Sequence, residues 1–151
     1  MTVVPGDFSD SRVVALLREH LEGMHASSPP GTVYALDLDA LRAPSITFVT
    51  AWLDDALAGC GALKELDRTH GELKSMRTSA AHLRRGVGAT LLEHLLGVAR
   101  TRGYRRVSLE TGSGAPFEAA LALYRRYGFV EGEAFGAYVP SAFNRFLHLD
   151  L

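Results

Sequence analysis

Residues Arg84 to Leu92 read RRGVGATLL: two arginines, two glycines one residue apart, then an apolar run at helical spacing. A helix starting near Gly86 exposes unpaired backbone N–H groups and the positive end of its dipole. Glycine there lets an anion approach the backbone without a Cβ in the way. Arg84 and Arg85 add local positive charge. The chemistry this arrangement suits is the gripping of a phosphate or pyrophosphate. A nucleotide P-loop does not fit, because Gly88 is followed by Ala89 and Thr90 with no lysine, and a dinucleotide fingerprint would want a third glycine where Leu91 stands.

The elements that must hold this loop can be read from periodicity. Capping residues between Asp7 and Asp10 precede Val13, Leu16, Leu17, Leu21 and Met24 at helical spacing, so a first amphipathic helix is predicted, stopping near His25. The stretch Ser27-Ser28-Pro29-Pro30-Gly31 breaks it, and TVYALDLDALR after it is ambiguous. ITFVTAWL and ALAGCGALKEL, separated by Asp54-Asp55, predict a hairpin, and GELKSMRT a third strand. Next comes the helix that begins near Gly86, with Leu91, Leu92, Leu95, Leu96 and Ala99 in one stripe, ending before Gly103. RRVSLET is a further strand, Pro116 to Tyr127 a second helix closed by Gly128, and FNRFLHLDL the last strand, with Leu147, Leu149 and Leu151 on one side. This order predicts an α/β fold of the α+β kind, one mixed sheet with helices on both faces.

The totals agree with one domain over residues 1–151. A chain of 151 residues with 47% hydrophobic content can bury a sizeable core, and its formal net charge of −1 gives no global field toward nucleic acid or a membrane surface. Cys60 is the one cysteine, so no internal disulfide forms. No signal-like start or apolar run of membrane-spanning length stands out, and a cytoplasmic protein is the expectation. The histidines show no metal-ligand spacing, so no metal is predicted. Arg100, Arg102, Arg105 and Arg106 read as a solvated helix end and strand start.

The run ELKSMRTSAAHLRRGVGATLLEHLLGVARTRGYRRVSLE, followed by ALYRRYGF, resembles the GCN5-related N-acetyltransferase (GNAT) family, whose members bind acetyl-coenzyme A and acetylate an amine. The resemblance spans roughly Ser45 to Phe129 and implies a mixed, mostly antiparallel sheet. It implies that Arg84, Arg85, Gly86, Val87, Gly88, Ala89 and Thr90 hold the pyrophosphate of acetyl-CoA. It also implies that Met76, Arg77 and Thr78 pair their backbone with the pantetheine arm, and that Phe117 contributes from the second helix. Leu83 and Phe117 depart from the family pattern, which has Gln or Arg at the first position and often Asn at the second.

The offset of Glu72 from Gly88 matches the family's base, about 13 Å along a strand from Met76, a distance that suits a water relay. Tyr124 shares a helical face with Phe117, Ala120 and Leu121 and is the predicted acid for the departing thiolate, with Tyr127 as its packing neighbour. His25, near the Pro29-Pro30 loop, is a further candidate to touch the acceptor. Asp37, Asp39 and Glu110 would make an acidic wall if they met around it. The expected activity is acetyl transfer to a primary amine of a small molecule, peptide or protein in a ternary complex. A silent acyl-CoA-binding sensor or interaction domain is the rival. Open edge strands would permit a homodimer.

Overall fold

Between Ile46 and Thr78 small and apolar residues build three long antiparallel strands, β2 (Ile46–Leu53), β3 (Ala56–Asp67) and β4 (His70–Thr78). These and the remaining elements are described in a computed structural model that covers residues 1–31 and 37–151. Asp54 turns the first hairpin in the left-handed region at φ 54°, as a two-residue connection requires. A strand that sequence periodicity did not reveal, β1 (Thr2–Pro5), pairs with the outer edge of β2. Four residues ending in proline carry too little alternation to be read. Their strand conformation comes from the open edge that β2 offers, where a terminal proline costs no ladder bond.

On the other side β4 pairs in parallel with β5 (Arg106–Thr111), and β5 pairs antiparallel with β7 (Arg145–Asp150). A two-residue strand, β6 (Val130–Glu131), completes the seven-stranded order β1-β2-β3-β4-β5-β7-β6. β4–β5 is its one parallel pairing, so the sheet is mixed and mostly antiparallel, as expected.

Helices cover both faces. On one, α1 (Ser11–Ser27) starts at Asp10, whose carboxylate accepts from the Arg12 amide at 2.9 Å. Its residues Val13, Leu16 and Leu17 pack with Leu41 of α2 (Leu38–Leu41) against Phe48, Cys60 and Ala62. On the other face α3 (Val87–Thr101) lays the predicted stripe Leu91, Leu92, Leu95, Leu96 and Ala99 on Leu63, Leu73, Val107, Leu109 and Leu147. The second predicted helix divides into a 3-10 turn, Ala115–Phe117, and α4 (Glu118–Arg126). Much of the ambiguous segment before α2, residues 32–36, lies outside the described residues. Leu147 and Leu149 pack on the α3 side as predicted, while Leu151 lies beyond β7 and is exposed. No helix among the described residues is long and apolar enough to cross a membrane.

Candidate active site

The seam between β4 and β5 closes only in part. Its ladder runs from His70–Arg106 to Leu73–Leu109 and stops, although β4 continues to Thr78 and β5 to Thr111. A cleft opens where the strands part, lined from β4 by Leu73 to Arg77 and from β5 by Leu109, Glu110 and Thr111. The 3-10 turn and α4 supply Pro116, Phe117, Ala120 and Tyr124, while α1 supplies His20 and Met24.

A bulge shapes the β4 wall. The register jumps from Ala62–Lys74 to Cys60–Arg77, so Ser75 and Met76 together face the single residue Gly61. Ser75 is held at φ 55°, a conformation that non-glycine residues seldom keep without a structural demand. A Cβ at Gly61 would come within 2.6 Å of the Met76 sulfur, so any larger residue there would displace the Met76 side chain. Met76 packs with the α3-side core and Thr78 lies beside Gly88, whereas Arg77 passes to the opposite face and donates to Glu19 of α1 at 3.2 Å.

The glycine loop lies at the N-terminus of α3. Gly86 caps the helix with no side-chain hydrogen bond, and Gly86 and Arg84 both sit in the left-handed region, at φ 77° and 63°. The first helical amide bond runs from Thr90 to Gly86 O at 3.0 Å, so the amides of Val87, Gly88 and Ala89 have no partner within the helix. Arg84 and Arg85 are exposed beside them. This set suits a pyrophosphate. The Thr90 hydroxyl donates back to Gly86 O at 2.9 Å, so its proton is committed to the helix, and amides make up the cradle. Val87 is buried and packs into the core. Arg102 and Arg106 lie away from this loop, donating to Thr47 at 2.7 Å and Asp150 at 2.9 Å.

The carboxylates of β4 and β5 differ in their surroundings. Glu72 is buried and absent from the cleft lining. It accepts hydrogen bonds from Lys74 Nζ at 3.2 Å and from the Tyr138 hydroxyl, to which Lys74 also donates at 2.7 Å. Glu110 does line the cleft and accepts from Asn144 Nδ2 at 3.0 Å, while Asn144 is itself held by Ser141. Burial pushes the Glu110 carboxyl up to about 7, nearby Lys74 opposing this and Glu72 adding to it. Asp37 and Asp39 do not line the cleft: Asp37 caps α2, accepting from the Ala40 amide at 2.8 Å, and Asp39 lies in its first turn.

Of the two tyrosines in LYRRYGF, Tyr124 is the buried one and lines the cleft, with burial raising its hydroxyl to about 12. Tyr127 is the more exposed of the two, packs against the core and donates to Glu93. Phe117 fills the cleft floor edge-on to Phe143, with ring centroids 5.5 Å apart. Sequence reasoning missed His20, Ser75, Asn144 and Tyr138. Glu110 enters the sequence reading only as part of an acidic wall, and the alternation of RRVSLET sets it with Ser108 opposite Val107 and Leu109.

A seam that parts beside an uncapped helix N-terminus, with a carboxyl and a phenol on its walls, suits a thioester cosubstrate that carries a pyrophosphate. The model of the acetyltransferase (GNAT) family matches residues 13–129. The uncharacterized N-acetyltransferase YsnE of Bacillus subtilis is 55% identical over 132 residues, which cover 87% of each chain. Among solved structures, an acyl-CoA N-acyltransferase from Klebsiella pneumoniae is 27% identical, with a TM-score of 0.82 over 99% of this chain and 97% of that one. A GNAT family acetyltransferase from Elizabethkingia anophelis, solved with acetyl-CoA bound, is 17% identical, with a TM-score of 0.68 over 99% and 97%.

The chain belongs to the GNAT acetyltransferase family. It is an acetyltransferase, and acetyl-CoA fits as its cosubstrate.

Proposed function

We propose that the whole chain is one N-acetyltransferase domain that moves the acetyl group of acetyl-CoA to a primary amine of a small molecule, peptide or protein, with donor and acceptor bound together. The observation that carries this is the parting of β4 and β5 after Leu73–Leu109, which sets Glu110 and Tyr124 on the walls of one cleft.

In this reading acetyl-CoA supplies the acetyl group as a thioester. The amides of Val87, Gly88 and Ala89, with Arg84 and Arg85, grip its pyrophosphate. The backbone of Met76, Arg77 and Thr78, freed from β5, is open to pair with its arm, and Phe117 packs against it. Glu110 takes the proton from the attacking amine. A carboxyl at about 7 is about half deprotonated near neutral pH, able to accept a proton and basic enough to be useful. Tyr124 stays protonated at neutral pH and returns a proton to the sulfur as the carbon–sulfur bond breaks and the carbon–nitrogen bond forms. Glu72 is a positioning residue: through Lys74 and Tyr138 it fixes the wall on which the acceptor lies.

Direct transfer is supported by Cys60, the chain's one thiol. It is fully buried and its ionisation is pushed up to about 12 by that burial, which leaves it unsuited to carry an acetyl group. The test is an acetyl-CoA consumption assay on a panel of amines, together with calorimetry on coenzyme A. Binding with turnover is expected, and absence of coenzyme A affinity would overturn the reading.

A further inference from the structure

The part of the cleft that faces α1 holds polar groups that the transfer itself leaves unused. His20, Ser75 and Arg77 all line it, and each brings a buried atom with no hydrogen-bond partner among the described residues: Nδ1 of His20, Oγ of Ser75 and Nε of Arg77. His20 and Ser75 are each only 8% exposed. Buried polar groups in folded proteins are nearly always paired, so three bare ones in one cleft point to a ligand that pairs them.

Their chemistry narrows that ligand. Arg77 Nε–H can only donate, the Ser75 hydroxyl has a proton to give, and His20 Nδ1 donates in one of its tautomers. A group that satisfies all three together is an acceptor with several lone pairs, as a carboxylate is. Lys74 and Arg77 line the cleft as cations, paired with Glu72 and Glu19, and Glu110 is the one carboxyl among the described lining residues. Arg77 binds Glu19 through Nη2, which leaves Nε turned elsewhere. Because Met76 and Thr78 lie on the α3 side of β4 and Arg77 on the α1 side, the Arg77 side chain is well placed for the acceptor and not for the thioester arm.

We propose that the α1 end of the cleft is a carboxylate subsite, and that the acceptor is a small amine which also carries a carboxylate, as a free amino acid does. This rests on the acetyl-transfer reading above and names its substrate class. The carboxylate takes hydrogen bonds from Arg77 Nε, Ser75 Oγ and His20 Nδ1, and the amine lies toward Glu110. The ammonium groups of a polyamine or an aminoglycoside have no lone pair with which to accept from these three donors.

The experiment measures kcat/KM for free L-amino acids, the primary amides of the same amino acids, spermidine and an aminoglycoside, all with acetyl-CoA. At least one amino acid is expected to exceed its own amide by about tenfold or more, the discrimination a site built around a charged hydrogen-bonded group provides. Arg77→Lys keeps a cation beside Glu19 but removes the Nε–H. It is expected to raise the KM for the amino acid about tenfold, as is Ser75→Ala, which leaves the KM for acetyl-CoA unchanged, and thermal unfolding checks that each variant folds. Equal use of acid and amide, preference for spermidine or the aminoglycoside, or acetyl-CoA binding with no amino acid acetylated overturns the subsite and leaves the acetyltransferase reading standing. Loss of coenzyme A affinity in the wild-type protein would strike that reading itself.

Discussion

Along the β4–β5 seam the closed end and the open end bury similar polar groups and treat them differently. At the closed end every principal side chain has partners. The hydroxyl of fully buried Ser108 lies 2.6 Å from a ring nitrogen of His70 and 2.6 Å from one of His148, and Glu72 is shared between Lys74 and Tyr138. At the open end Glu110 is pushed up to about 7, and His20, Ser75 and Arg77 each leave a buried atom bare. Burial alone therefore does not mark a functional group in this molecule. What sets the open end apart is burial without a partner at His20, Ser75 and Arg77, since an unmet polar group costs stability that nothing inside the chain returns.

Exchanging the two carboxylates one at a time tests this contrast most severely. Glu110→Gln is expected to lower kcat/KM by roughly 100-fold or more in a steady-state assay, within the range of general-base removal, with little loss of thermal stability. Glu72→Gln should do the reverse. It leaves Lys74 buried beside a neutral partner, so a stability loss of about 3 kcal/mol is expected by denaturant titration, with a smaller drop in kcat for whatever remains folded. If Glu72→Gln were the more damaging to turnover, the base would belong to β4 after all.

Tyr124→Phe comes next, with a fall in kcat of about 10- to 100-fold and a KM for acetyl-CoA within roughly twofold of wild type. The pH profile sharpens the same point. The Glu110 carboxyl lies above its ordinary value of 4.5, at about 7, so kcat/KM should rise as pH passes through 7. The sign for stability is opposite: a raised carboxyl stabilises the fold fully below 4.5, and that contribution is lost as pH climbs to about 7. In Glu110→Gln both dependences should flatten, the first by initial rates and the second by thermal melts across this window. The smallest effect is expected at Gly86→Ala. With φ at 77° and open space around the Cβ, it should cost about 1 kcal/mol through backbone strain and weaken coenzyme A binding in calorimetry.

Local features are legible in the amino-acid sequence alone. The uncapped helix start at Gly86, the stripe of α3, the hairpin around Asp54 and the face that carries Tyr124 are all set by residues a few positions apart, where sterics and periodicity act directly. The order of the elements and the place where an anion would be held are therefore written in the chain itself. Which carboxyl meets the cleft is settled only by folding, because Glu72 and Glu110 look alike in sequence and the point where the β4–β5 ladder stops is what separates them. Folding likewise settles the added edge strand β1, the bulge in β4 at Ser75 and Met76, and the raised Glu110 carboxyl. Each of these depends on neighbours brought from distant parts of the chain, and desolvation in particular is a property of the surroundings that no residue carries alone.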